Sequence, residues 1–448
     1  MRLIVKEKFL SDKIVYFLLV VAYRLLLDIA YSGFVYPEFA YMGFICHASV
    51  KTHALSWVLL LLYLIFNYSC FRSGGRLSCE IMFLLFLLSI VPSTTATAYG
   101  LISLSVTLWN TVFWIVCYGC LIVFSHFKEP VSLELTDTYA DLNDKLMLTA
   151  AIVFGVVIFY ISWKFTGFRL NFDLSVVYEL RDEARGYSIN RIASYLYSWS
   201  QVCLPIVMAY FFVKRKWLFG ALCFVLLLLA FGIDGSKFVF FLAVVSAVVS
   251  NLRLSSIEKL NRWILLGVIA VVAGGLVLFF KFHSISVLSY FVRRTMFIPL
   301  RLEQCYFEFF SEHTPDYFRG SFLRHFGFST PYPNMAQMIG ELYFHSQDTN
   351  ANCGLAANAV ANLGVYGCLI MPVLMSFVFH LMDESAKGID ARIYISTAVY
   401  AAQSLINSAF FTVLLTHGML MVILLLFFMK KRNTETLFAR RENPNPGK

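Results

Sequence analysis

WLFGALCFVLLLLAFGIDGSKFVFFLAVVSAVVSNL, residues 217–252, decides how this chain folds. Two apolar runs, near 217–232 and 238–252, flank a turn, GIDGSKF, that holds the segment's only charged residues, Asp234 and Lys237. Lys214, Arg215 and Lys216 stand just before the segment and Arg253 just after it. A chain that leaves one basic stretch, turns on glycines and returns to another reads as two helices crossing a bilayer and coming back. Both runs are short for about 30 Å of hydrocarbon, so tilt or local thinning is expected.

Outward from this hairpin the same alternation repeats. Apolar windows predict helices near 14–31, 55–70, 81–98, 102–125, 147–163 and 197–213 before it, and near 263–280, 355–382, 392–408 and 411–429 after it. Arg2, Lys6, Lys8 and Lys13 precede the first helix, while Lys430, Lys431, Arg432, Arg440 and Arg441 follow the last. Both termini are therefore expected in the cytoplasm, which requires an even number of spans. Arg72 and Arg76, Lys259 and Arg262, and Lys387 and Arg392 fall on that same side, whereas the loop Pro92–Gly100 carries no charge. The loop 126–146 is mostly acidic, and acidic residues do little to orient a chain. The expected fold is an all-α polytopic membrane protein, one transmembrane domain over 1–448, with about twelve transmembrane helices.

Composition agrees. Of 448 residues, 59% are hydrophobic and 14% charged, too few polar side chains to coat a soluble globule of this size. Aromatics reach 17%, led by 45 Phe, as suits helices that face acyl chains and interfacial belts. A formal charge of +9 would suggest nucleic acid in a soluble protein, but here the basic residues set topology and no nucleic-acid partner is expected. No cleavable signal peptide is evident at the N-terminus, so the first apolar segment reads as a retained anchor. The ten Cys lack metal-ligand spacing, and Cys117 and Cys120 lie inside an apolar helix as packing residues. Cys305 and Cys353 are the one candidate disulfide.

Two connections, 164–196 and 281–354, are much longer than the rest and both fall on the exported side. The first contains FRLNFDLSVVYELRDEARGYSINR (168–191), with Arg169, Arg181, Arg185 and Arg191 among Asp173, Glu179, Asp182 and Glu183. The second contains RRTMFIPLRLEQCYFEFF (293–310), with Arg293, Arg294 and Arg301, followed by His313, Arg319, Arg324, His325 and His345. Arginine against the inside bias asks for an anion, because a planar guanidinium gives two parallel hydrogen bonds to phosphate or carboxylate oxygens. The plainer reading pairs these Arg with the loops' own acids or with lipid head groups. The stretch 285–302 alternates apolar and cationic positions like a helix lying in the interface, which Pro299 would end or kink. Arg24 and Asp28 share a helix face and are placed to pair within the membrane. Lys237 in its glycine-flanked turn faces a ligand or snorkels. Glu341 and His345 in IGELYFHS stand four apart and are the candidates for a general base. Neither G-x-S-x-G nor H-E-x-x-H is present, so esterase and zinc-protease chemistry lack their residues.

Several fragments together carry a resemblance: YRLLLDIAYSGFVYPEFAYMGF (23–44), VVYELRDEARG (176–186), GSKFVFF (235–241), FVRRTMFIPL (291–300) with Tyr306, IGELYF (339–344) and NCGLAANAVANLGVYG (352–367). In these the chain resembles the bacterial O-antigen polymerase family; where that family often carries an acidic residue, this chain has Asn358. The resemblance implies a multi-span transferase similar to the GT-C type in the bacterial inner membrane. Its substrates would be undecaprenyl-pyrophosphate-linked oligosaccharides, and a chain-length regulator is an implied partner. Growing glycan would pass at the periplasmic face to a new lipid-linked repeat unit, without metal or cofactor. Arg181, Lys237, Arg293, Arg294 and Arg301 are the residues assigned to the pyrophosphates, and His345 or Glu341 to the acceptor hydroxyl. The alternatives are an O-antigen ligase or a lipid-linked oligosaccharide flippase or other transporter; a purely structural membrane protein would leave the charged exported loops unexplained.

Overall fold

A computed structural model describes residues 2–72, 75–127, 140–169, 177–252, 256–346 and 349–429. The basic residues at 430–441, Arg253 and Asp173, and the side chains of Arg2, Lys6, Lys8, Glu179 and His325, lie outside the described residues. Regular structure in the described residues is helical, with no strand.

Nine helices among them are long and apolar enough to cross a bilayer. Before the opening hairpin come α1 (Asp12–Met42), α2 (Val50–Phe71), α3 (Leu77–Ala98), α4 (Leu104–Phe124) and α5 (Asn143–Thr166). A short helix, α6 (Val177–Arg185), precedes α7 (Arg191–Val213). The hairpin is α8 (Trp217–Asp234), itself long enough, and the shorter α9 (Lys237–Asn251). Then follow α10 (Ile257–Phe282), α11 (Ile298–Glu312), α12 (Met335–Phe344) and α13 (Leu355–Ala386), with α10 and α13 of spanning length. Two shorter helices, α14 (Ala391–Asn407) and α15 (Met419–Phe428), close the described chain. The structure is that of a polytopic membrane protein.

Local sequence starts and stops these helices. Ser49, Ser103, Asn190, Ser256 and Asp390 each put a side-chain oxygen on free N–H groups of the helix that follows. At the hairpin turn Gly235 is left-handed, with φ 62°, and the Ser236 N–H donates to Asp234 Oδ1 at 2.9 Å. The predicted helix at 355–382 breaks: the chain is α-helical to Leu363, turns at Gly364 and resumes at Gly367.

Packing puts two helices at the centre. The apolar window of α3 is 94% buried and that of α7 is 67%, against 22% for α10, which therefore presents most of its surface to lipid. Helices α2, α4 and α14 pack around α3, while α5, α8 and α9 pack around α7. Because α14 touches both centres, it joins the two groups.

The helix ends sort into two sets. At one end Arg262 pairs with Asp12 at 3.0 Å and Lys216 with Asp144 at 2.7 Å. There too the Arg392 guanidinium grips Asp390 at 2.7 Å, and the Tyr394 hydroxyl donates to the Gly75 carbonyl at 2.6 Å. This basic end holds Lys216, Arg262 and Arg392, three of the cations that the alternation assigned to one side. At the far end the loop after α1 meets the loop after α3, where His47 N–H donates to Tyr99 O at 2.8 Å, and the loop after α11 meets the first half of α13, where Asp316 N–H donates to Ala361 O at 2.9 Å.

The second long connection differs from expectation. Residues Leu288–Phe297 form a wide π-helical stretch whose apolar face, Leu288, Val292 and Met296, is buried against α1, α3 and α10 rather than laid on acyl chains. Pro299 does not end the helix: it sits where the π-helical stretch passes directly into the first turn of α11. Helix α11 then runs into the bundle against α4 and the first half of α13, burying Leu300, Phe307 and Phe310. Cys305 and Cys353 are both buried and remain free thiols, so the candidate disulfide does not form.

Candidate functional site

The far end places two of the sequence-predicted cations on one shelf, built by the last turns of α1 and the loop after it. Arg293 lies over the Phe39 ring at 4.2 Å, donates from Nε and Nη2 to Ser289 Oγ at 3.2 and 3.0 Å, and reaches Met42 Sδ at 3.4 Å. Arg301 lies over Gly43, whose φ of 81° already favours glycine. A Cβ on Gly43 would come within 2.8 Å of Arg301 Nη2, so the missing side chain makes room for the guanidinium.

Two tyrosines from different parts of the chain, Tyr31 and Tyr343, lie within reach of the Arg301 charge. The Tyr31 ring packs on Tyr99 at 5.2 Å and Phe297 at 4.9 Å, and its hydroxyl donates to the Ile45 carbonyl. Burial, and then the carboxylate of Glu308, pushes the Tyr343 phenol up to about 12, so it serves as a hydrogen-bond donor at neutral pH. Arg301 Nε is buried and has no hydrogen-bond partner among the described residues. That sealed N–H lacks the partner that burial normally demands, while the side chain as a whole is half-buried.

The other predicted cations take separate places. Arg294 is exposed beside Arg293. Lys237 starts α9 with its ammonium 5.0 Å from the centre of the Tyr290 ring, within a turn of Arg293. Arg181 on α6 is close enough to act electrostatically on Asp234, whose other oxygen accepts from Gln201 Nε2 at 2.8 Å. Lys237 and Arg181 thus flank the α8–α9 turn, while Arg293 and Arg301 flank the end of α1. In the first long connection the plainer reading holds for two others: Arg169 pairs with Glu183 and Arg185 with Asp182, each at 2.9 Å. Hydrogen bonds from Tyr187 and Arg169 hold the Glu183 carboxyl below the usual carboxylate range.

The two candidate bases lie on the far-end surface. Glu341 is exposed on α12, and His345 is exposed just past its last turn in left-handed backbone, its N–H donating to the Glu341 carbonyl at 3.0 Å. Between them Tyr343, not singled out in the sequence, is half-buried and feels the charge of Arg301.

Arg24 and Asp28 pair as their spacing predicts, and Arg24 is fully buried. Its Nε donates to Thr94 Oγ1 at 2.9 Å and its Nη2 to the Thr94 carbonyl at 3.1 Å, with Ser56 Oγ at 3.2 Å. Those contacts make the pair a brace between α1, α2 and α3. Asn358 likewise works on backbone, accepting from the Phe410 N–H at 3.4 Å.

Among the described residues no three His, Cys, Asp or Glu side chains converge. Sequence reasoning missed Tyr31, Tyr343 and Gly43; only Gly43, a glycine in an aromatic run, left a local signal. No family model, curated protein or solved structure matches this chain.

Proposed function

We propose that this chain is a membrane glycosyltransferase that joins lipid-linked oligosaccharide repeat units. In this reading twelve helices, α1–α5, α7–α10 and α13–α15, cross a bacterial inner membrane with the basic end in the cytoplasm and the shelf of Arg293 and Arg301 in the periplasm. The substrates are undecaprenyl-pyrophosphate-linked oligosaccharides, with a chain-length regulator as partner. The observation that carries the reading is the sealed Nε of Arg301, which has no partner among the described residues, on a cation whose charge reaches Tyr31 and Tyr343.

In the reaction an acceptor hydroxyl oxygen forms a bond to the anomeric carbon of the growing glycan as the bond to pyrophosphate breaks. The lipid pyrophosphate departs with the bonding electron pair and so one added negative charge, spread over its terminal phosphate oxygens, and the acceptor proton passes to a base. Arg301 and Arg293 stabilise the departing pyrophosphate, the larger part of such catalysis. Arg181, Lys237 and Arg294 line the approach, and Glu341 or His345 takes the proton. A single displacement inverts the anomeric carbon.

The test is the glycan profile of a host whose own gene is deleted, with and without this one. Core carrying one repeat, extended to a ladder when the gene is supplied, supports the reading. Bare core with accumulated lipid-linked polymer would replace it with a ligase, and bare core with repeats trapped on the cytoplasmic leaflet with a flippase.

A further inference from the structure

Helix α11 carries Arg301 toward the shelf, and two residues further it carries Glu303 into the bundle. Glu303 is 6% exposed, and its Oε1 is sealed from solvent with no hydrogen-bond partner. Its neighbour across the interface is Asn110 on α4, whose amide is within hydrogen-bonding reach of the carboxyl. Asn110 is 3% exposed, and its Oδ1 is also sealed and partnerless. Two buried acceptor oxygens on touching side chains therefore lack a donor.

A carboxylic acid and a primary amide are complementary, since each donates one hydrogen bond and accepts one. With one proton on Glu303, its O–H donates to Asn110 Oδ1 while Asn110 Nδ2 donates back to the carbonyl oxygen, and both orphaned atoms are satisfied. An ionised carboxylate accepts only the amide N–H and leaves Oδ1 bare. The groups that face Glu303 from neighbouring elements are Tyr63 on α2, Cys353 before α13 and Cys368 within it, none of them cationic. Arg301, on the same helix, points to Gly43 and the shelf.

We propose that Glu303 and Asn110 form a buried proton-binding site, in which a neutral carboxylic acid latches α11 against α4. The bound ligand is a proton, and the latch fixes the helix that positions Arg301. Burial drives the Glu303 carboxyl up to about 8, although Asn110 pulls the other way. Ionisation then leaves an unpaired charge in the interface and loosens α11. The site stands whatever reaction the far end performs.

Infrared spectra of the full chain in lipid vesicles, titrated from about pH 6 to about pH 10 around the range documented for buried acids, test it directly. The wild type should show a neutral carboxylic acid carbonyl band at pH 7 that Glu303→Gln lacks, shifted in Asn110→Leu, and lost as the pH rises past about 8. Glu303→Gln keeps one donor and one acceptor, so it should fold and serve as the reference. Identical wild-type and Glu303→Gln spectra in that region at every pH would overturn the proposal, as would a band that Asn110→Leu leaves unmoved.

Discussion

At the basic end of the molecule Arg262, Lys216 and Arg392 each sit within 3.0 Å of a carboxylate. At the far end Arg169 and Arg185 are paired as well, but Arg301 is half-buried, its charge reaches Tyr31 and Tyr343, and its Nε has no partner among the described residues. Helices of the same composition connect the two ends, so hydrophobicity does not explain the difference. Matched cations at a wet surface orient and tidy a helix end at little energetic gain. A half-buried cation whose sealed Nε–H has no acceptor carries a desolvation cost, and an anion that binds there recovers it. The contrast teaches where to look for substrate: not where charge is densest, but where it is least compensated.

The strongest way to sharpen the contrast is to make an uncompensated cation where the protein has a compensated one. Asp28→Leu leaves Arg24 buried and unpaired, and should cost about 3–5 kcal/mol of stability. Thermal unfolding in detergent would show it, and Arg24→Met with Asp28→Leu should restore most of the loss. If Asp28→Leu melts like wild type, burial at Arg24 is not what holds these helices.

Arg301→Ala should act the opposite way, lowering chain extension about 100- to 1,000-fold, the usual loss of one preorganised electrostatic donor, while leaving the melting temperature near wild type. Arg301→Lys should recover little, because a point charge does not reproduce two parallel hydrogen bonds. A rate assay on purified lipid-linked acceptor separates these outcomes, and full activity in Arg301→Ala would break the comparison.

Glu303 supplies a pH dependence whose sign is fixed. Its carboxyl titrates in the native protein near 8, above its ordinary 4.5, so the native state holds a proton that the unfolded state has released between those values. Stability should be fullest below about 4.5 and fall as pH rises toward about 8, and Glu303→Gln should flatten that slope in melting curves. The smallest effect belongs to the basic end: Arg262→Ala, on a pair about one-third exposed, should shift stability by less than about 1 kcal/mol.

Much of this architecture was legible before any coordinates. Apolar runs bounded by Lys and Arg are enough to place the helices, since a backbone in lipid must satisfy its own hydrogen bonds and the charges cannot follow it in. The Arg24–Asp28 pair was readable because four residues make one helical turn. Arg293 and Arg301 could be picked out as cations against the inside bias, but their common shelf could not, because it depends on Phe39 and Gly43 some 250 positions away. Glu303 left a weaker sign: it falls in register with Leu300, Phe307 and Phe310, the buried stripe of α11.

Sequence by itself determined that this is a helical membrane protein, where most of its helices lie and which cations crowd one set of helix ends. These are consequences of local composition and helical period, which act within a few residues. Only the tertiary structure decided that 288–312 packs into the bundle, that Pro299 falls in the first turn of α11, that Tyr343 comes within reach of the Arg301 charge, and that Cys305 and Cys353 stay free thiols. Each of those depends on which distant surface a segment meets, and burial, partner and protonation follow from that meeting.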